Sequence, residues 1–591
     1  MALNLNIVNI VFLFLPFFVL IIPMIKLRQY ENLIAAISVF LITISILFSL
    51  PINLNLKYLV IFMTYVIIYM EIKKPRVKIR KNKKIIWAIF LGLLTLNYLI
   101  YLLKSKLADV ITILGLGYDH WGHFTLFSAI SKCETQLLWC RLEEVNYVKS
   151  IMLTYAPGTT NIWSSINTIF LIKDPNIYSL VAYYTFNYVF HLIIFFLAVF
   201  FYLFKLRSKL KYLMIISSIV ILVHGQFSNF LVSGFPPYIV AFTLFLFQLI
   251  LLQSYFSSLR FLAILMLSSQ ISFTSPAFLP VSIFVFTIYC LTNRINIKNS
   301  FQRLKPVYKI GTIIFIFITL VYTYYFSIMV KSYGAKQILA PGGIEPIATF
   351  YLLLFISAVI LITYSKKKKK FDFKLDLVYF IYVLYVLVLY LITFYYTGTV
   401  QYYALKQAYF IIPLSIFVIG SSLRKMEKIS FPYNKITDLM SITLLILVFF
   451  SPSNKTFTSG YMGRPAEVIE IFSNGLQNEQ IIYGPQVLRA SNLMAELEGK
   501  CGIYTSNFYE WDLNSRWINA LSGTSNDYTF ALTWGIGLDS QNSIESRYHE
   551  MTNNYDTEYA CIVFNEQVEY NPSLKQFFKS KNWRIKDLRR S

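Results

Sequence analysis

Along most of this chain the polar residues fall between long apolar runs, not within them. Apolar stretches recur at about residues 7–25, 33–50, 57–72, 85–103, 178–204, 213–229, 238–256, 260–274, 277–293, 310–330, 348–364, 376–396, 405–421 and 436–451. A run that is hydrophobic on every side and about 20 residues long predicts a helix surrounded by lipid. About fourteen such spans are expected on this pattern. The pair around "SFTSPAFLP", residues 272–280, predicts a broken or re-entrant segment in place of two clean spans. The first run, Ile7 to Ile25, has no basic stretch before it and no small-residue cleavage site after it. It reads as a span and not as a removed signal peptide.

From about residue 452 the pattern changes. "AEVIEIFSNGLQ" has helical apolar spacing, "QIIYG" and "CGIYTS" read as short strands, and "PQVLRASNLMAELEG" reads as a helix. "EYACIVFNE" is a further strand and "PSLKQFFKSKNW" a further helix. Alternation of this kind predicts a small α/β domain with a partly parallel sheet. No Gly-rich dinucleotide fingerprint follows any of these strands, so a structural or substrate-gripping cap is expected over a nucleotide site. The expected division is a multi-span domain over 1–451, with a large loop at 104–177, and an α/β domain over 452–591.

Charge decides orientation. "KKPRVKIRKNKK" (73–84), "KLRSKLK" (205–211), "RINIKNSFQRLKPVYK" (294–309), "KKKKKFDFK" (366–374) and "RKMEK" (424–428) are each separated from the next by an even number of proposed spans. One orientation therefore puts all five on the cytoplasmic side. The loop 104–177, the loop 331–347, the turns near 230–237 and 397–404, and the tail then face outward. Composition agrees: mean hydropathy is +0.57, 57% of residues are hydrophobic and 14% charged. The net charge of +24 sits mainly in loops that set topology, which argues against a nucleic-acid partner. Cys133 and Cys140 share the outer loop and Cys501 and Cys561 the tail, while Cys290 lies in a span. The four outer cysteines are even in number, as an oxidising compartment requires, and allow three pairings.

Candidate chemistry gathers in the outer loop. "GYDHWGHF" (117–124) holds one acid and two of the five histidines. A carboxylate at Asp119, among Tyr118, Trp121 and Gly122, has the surroundings of a general base toward a hydroxyl. His120 and His123 are candidates to orient a phosphate, to share a proton, or to join Asp119 around a divalent metal ion. The plainer alternative is an interfacial helix start capped by Asp119. "YAPGTTNIW" begins at Tyr155 and reads as a Pro-Gly turn opening a helix, where anions settle. On the same side, "QYYALKQAYF" (401–410) brings Lys406 into an apolar span behind tyrosines that include Tyr403. Such a lysine either snorkels to the headgroups or supplies a fixed charge to a lipid phosphate. "VSGFPPYIV" (232–240) adds two prolines and a glycine to that side.

Taken together, "GYDHWGHF", "YAPGT", "YYALKQAY" and an exoplasmic α/β tail resemble the GT-C superfamily of polytopic membrane glycosyltransferases. The resemblance covers most of the chain as architecture and rests on short motifs. It implies transfer of a sugar, usually with inversion, from a polyprenyl-phosphate carrier to a glycan, lipid or protein acceptor on the outer face of a membrane, expected to be the bacterial plasma membrane. It implies that Asp119 deprotonates the acceptor hydroxyl and that Lys406 neutralises the leaving phosphate, with His120, His123, Tyr155 and Tyr403 lining the substrate. Some members use a metal and others do not, so a divalent metal ion on His120 and His123 is the lesser expectation. Two features depart from the family pattern: the loop follows a fourth span instead of the first, and "DH" stands where an acidic pair is usual. The competing classes are a non-enzymatic scaffold or receptor, a transporter or lipid-linked oligosaccharide flippase, which would hold ionisable groups at mid-membrane, and an O-antigen polymerase or ligase. The latter would lean on outer-loop arginines, of which the long loop has only Arg141.

Overall fold

A computed structural model describes residues 30–49, 59–66, 68, 107–115, 119–133, 158–170, 177–206, 211–223, 227, 230–231, 234–303, 339, 346–347, 351–367 and 373–426. In the tail it describes 487–489, 491–492, 517–518, 520–522, 562–563 and 585–586. The expected spans at 7–25, 85–103, 310–330 and 436–451 lie outside the described residues.

The described part is built of helices: α1 (Tyr30–Ser49), α2 (Leu107–Gly115), α3 (His120–Cys133), α4 (Gly158–Phe170), α5 (Ile177–Phe204), α6 (Lys211–Val223), α7 (Pro236–Leu252), α8 (Ser258–Thr274), α9 (Leu279–Thr292), α10 (Arg294–Arg303), α11 (Leu352–Lys367), α12 (Phe373–Thr397), α13 (Tyr402–Tyr409) and α14 (Ile411–Met426). Among the described residues, three stretches are long and apolar enough to cross a membrane: Ser179–Phe204, Lys374–Thr397 and Tyr402–Met426. Shorter apolar helices run over Glu31–Leu47, Pro236–Leu252, Ser258–Thr274 and Pro276–Thr292.

Tyr402–Met426 is the central element, packed against α5 and α11 and 94% buried over its most apolar window. It is not one continuous helix. Pro413 has no N–H to give the carbonyl of Tyr409, and the helix breaks there, with Phe410 N–H turning back to Gln407 O at 3.2 Å. Phe410 fills the break, stacked on Phe242 at 4.5 Å and edge-on to Phe230 and Phe278. Lower down, Gly420 lets α5 approach, since a Cβ there would stand 3.1 Å from a Leu203 methyl.

By contrast, Lys374–Thr397 is only 28% buried. Its inward face carries Tyr379, Tyr382 and Tyr385, which bond to Ser415 Oγ, Gln407 O and Ala277 O. Its outward face exposes Leu384, Leu387, Leu391 and Phe394. On α11, Leu352, Ile356 and Ile360 form a matching exposed stripe one turn apart. Such faces suit a hydrocarbon surrounding, where the polar groups must be satisfied inward.

A second interhelical clasp forms at Gln248 on α7. Its amide donates to Ser268 Oγ and Ile264 O on α8 and accepts from Ser282 on α9. Between α8 and α9 the chain breaks at Ser275, which is extended, and passes through a short 3-10 turn, Pro276–Phe278. "SFTSPAFLP" is thus a helix break, as its two prolines suggest.

The loop 104–177 contributes α2, α3 and α4, and these are packed into the bundle. In α3 every described residue from His120 to Ser131 except Gly122 is buried. Cys133 at its end is disulfide-bonded, with its partner outside the described residues, whereas Cys290 on α9 is a free thiol. In the tail, β1 (Ile562–Val563) and β2 (Ile585–Lys586) pair in parallel, Ile562 opposite Ile585. Val487, Trp517, Ile518 and Leu521 join the hydrophobic core.

Candidate functional site

Asp119 stands immediately before α3, where the partial positive charge of the helix start favours a carboxylate. Its backbone carbonyl takes the first helical bond, from His123 N–H at 3.3 Å. Its side chain is engaged from far away in sequence. The Tyr402 hydroxyl donates to Asp119 Oδ2 at 2.9 Å, and the Lys406 ammonium pairs with the same oxygen at 3.8 Å. Among the described residues Oδ1 carries no hydrogen bond. The Asp119 side chain is 30% exposed and that of Lys406 only 5%, so a carboxylate open to an incoming group is backed by a buried cation.

Helix geometry places Tyr402 and Lys406 together, because residues four apart share one face. The ammonium lies 3.6 Å from the ring centroid of Tyr402 and 3.7 Å from that of Phe235, with Tyr238 at 4.9 Å and Tyr403 at 5.4 Å. A buried lysine needs compensation, and each ring face contributes about 0.5–2 kcal/mol. The pair distance exceeds direct hydrogen-bond reach, so the three N–H donors are not spent on the carboxylate.

The turn before α7 completes this arrangement. Gly234 has φ +87°, and a Cβ on it would meet His120 N at 2.8 Å and Asp119 N at 3.1 Å. Only glycine allows the turn carrying Phe235 to press against the backbone that carries the acid. At the entrance to α13, Gly398 with φ +71° ends α12, and the Gln401 amide ties Thr397 and Thr399. Both ends of the constellation are thereby held on ordered turns.

The histidines are arranged differently. His120 Nδ1 is 2.9 Å from the Tyr184 hydroxyl, and its ring stands edge-on to Tyr188 at 4.7 Å. Tyr188 in turn donates to Leu231 O. Burial pushes His120 down to about 3, with His123 adding to the fall. Burial likewise brings His123 to about 3, helped by the charge of Lys406. Both imidazoles are therefore neutral at ordinary pH. Among the described residues no three His, Cys, Asp or Glu side chains converge as metal ligands; with His120 Nδ1 given to Tyr184, the described donors do not compose a metal centre.

Of the sequence candidates, the structure brings Asp119, His120, His123, Tyr403 and Lys406 into one neighbourhood. Tyr155 lies outside the described residues. The helix it was expected to open does form: α4 starts at Gly158, wedged so closely against α8 that a Cβ would touch Thr274 Oγ1 at 2.6 Å. Its Asn161 is buried, and neither amide atom has a partner among the described residues. Sequence reasoning did not single out Tyr402 as the hydrogen-bond donor to the acid. It also missed Phe235 and Tyr238 as walls around the lysine, and Tyr184 as the partner of His120. The only prior signal for Tyr402 was its place four residues before Lys406.

The tail reaches this neighbourhood through Trp517, which is fully buried and stacks on Phe124 at 5.7 Å, one helical turn after His120. Comparison with family models, with curated proteins and with solved structures returns no match.

Proposed function

We propose that the chain is an outer-face membrane glycosyltransferase of GT-C type that moves a sugar from a polyprenyl-phosphate carrier to a hydroxyl of a glycan, lipid or protein acceptor. The observation that carries this reading is the Asp119–Tyr402–Lys406 constellation. It sets a half-open carboxylate beside a buried cation, assembled from segments 283 residues apart. In the proposed step Asp119 Oδ1 takes the proton of the acceptor hydroxyl. The hydroxyl oxygen bonds to the anomeric carbon as the bond from that carbon to the phosphate oxygen breaks. The leaving phosphate keeps the electron pair, and the buried Lys406 offsets its charge. The arriving phosphate also competes with Asp119 for the ammonium.

The same proposal takes the membrane domain to be a bundle of about fourteen spans and the residues from about 452 to be a small α/β cap on the outer face of the plasma membrane. The parallel pairing of β1 with β2 and the seat of Trp517 on Phe124 support the cap. The disulfide at Cys133 supports an oxidising outer compartment for the end of α3.

The test is transfer from a panel of polyprenyl-phosphate sugars in reconstituted vesicles, comparing wild type with Asp119→Asn. A folded variant that loses about a thousandfold or more supports Asp119 as the base. An active Asp119→Asn sinks the assignment. A wild type that transfers from no donor favours the flippase reading.

A further inference from the structure

The opposite pole of the bundle holds a second charged cluster that the transfer reaction does not use. Lys205, one residue past α5, pairs with Glu31 Oε1 at 3.1 Å. Its ammonium stands 3.7 Å over the Phe201 ring and 5.8 Å from the centroid of Tyr202. The Arg424 guanidinium, in the last turn of α14, stands over that same Tyr202 ring at 5.8 Å. Arg260, in the first turn of α8, donates to Asn32 Oδ1 at 2.8 Å and to Tyr255 O at 2.6 Å. Glu31 feels the charges of both Lys205 and Arg260. Lys211 completes the group by donating to the end carbonyl of α5, Phe204 O, at 2.9 Å.

This pole differs from the outer one in balance. At the outer pole one lysine meets one aspartate. Here Lys205 and Arg260 both act on Glu31, and among the described residues no carboxylate pairs with Arg424. Arg424 is exposed, so its planar fork of donors faces the surroundings. Arg260 occupies a helix start, where the macrodipole disfavours a cation, and an added anion would relieve that. Burial lowers Lys205 to about 8, Glu31 opposing the fall and Arg424 adding to it. All these residues sit within a turn of the ends of α1, α5, α6, α8 and α14. That is the depth of lipid phosphates if these helices span a bilayer.

We propose that Lys205, Arg260 and Arg424, grouped about Glu31, form a binding site for a phosphate group, presented by an anionic phospholipid or free in solution, with Arg424 as the donor that faces it. The site depends on the membrane reading and not on glycosyl transfer. Arg424 holds the phosphate bidentately, as guanidinium geometry favours, while Lys205 and Arg260 supply the field behind it.

The experiment is native mass spectrometry of the full chain in neutral detergent, counting lipid retained after exposure to phosphatidylcholine, to phosphatidylglycerol, or to phosphatidylglycerol with excess inorganic phosphate. The expected result is selective retention of phosphatidylglycerol. In Arg424→Gln its affinity falls by about tenfold or more, and in Arg424→Lys the loss is smaller. Lys298→Gln, another exposed basic position expected on that side, changes nothing. Displacement by inorganic phosphate, lost in Arg424→Gln, identifies free phosphate as a ligand of the same site, and resistance to it identifies the lipid. Equal retention of phosphatidylcholine, an unaltered affinity in Arg424→Gln, or an equal loss in Lys298→Gln would each overturn the proposal. Arg424 is exposed, so its variants are expected to fold, and an unchanged melting midpoint checks this.

Discussion

Gly234 is the residue at which the least chemistry controls the most geometry. Its positive φ and the 2.8 Å approach to His120 N leave no room for a methyl group. Gly234→Ala is expected to cost about 2–4 kcal/mol, from backbone strain and overpacking together, read as a drop in melting midpoint. Tyr402→Phe removes one hydrogen bond to a partly exposed carboxylate. It should leave the fold intact and lower transfer about tenfold, by freeing Asp119 to leave its productive orientation. Retention of the full rate in Tyr402→Phe would show that Tyr402 does not position the acid. Asp119 and Lys406 were visible in the sequence because charges are rare in this chain: Asp119 stood beside two of its five histidines and Lys406 at the edge of an apolar run. The rings around Lys406 were not, because Phe and Tyr are so abundant here that no single one stands out. Only the fold selects Phe235 and Tyr238.

At the level of elements, α3 couples the candidate site to pH. His120 and His123 are neutral in the folded chain down to about 3, whereas in the unfolded chain they protonate near 6.5. Protons therefore favour the unfolded state between those values: stability is full above about 6.5 and falls as pH drops toward 3. The slope is at most about 1.4 kcal/mol per pH unit for each imidazole. Melting midpoints in detergent between pH 7.5 and 5 should decline, and the decline should shrink in the His120→Gln/His123→Gln double variant. An unchanged slope would mean that other groups carry it. Element boundaries were readable where proline sits between apolar runs, as at Pro276. At Pro413 the proline lies inside a run that looked continuous, so the break after Tyr409 was hidden. The loop 104–177 was legible as polar-rich, but burial of α3 depends on Tyr184 and Trp517, which are distant in sequence.

For the whole molecule, the two charged poles sort the connections into the same two groups that loop charge did. Glu31, Lys205, Arg260 and Arg424, all from connections expected inside, meet at one pole. Asp119, Gly234 and Lys406, from connections expected outside, meet at the other. A single cysteine replacing Tyr395, which is 82% exposed, should react with an impermeant maleimide added to intact cells. One replacing Lys298 should react only after permeabilisation; the reverse order would invert the topology. The number of spans and the architecture of the tail were read from pattern alone, and much of both falls outside the described residues.

The distance in sequence between Asp119 and Tyr402, 283 residues, has a consequence for how the chain is made. At about 5–20 residues per second, the ribosome needs on the order of tens of seconds to deliver α13 after α3 has emerged. For that interval the acid has neither its hydroxyl donor nor its cation, and Phe124 waits longer still for Trp517. A nascent chain cut short before residue 402 would thus present its Asp119 carboxylate without either partner, beside an uncovered aromatic surface.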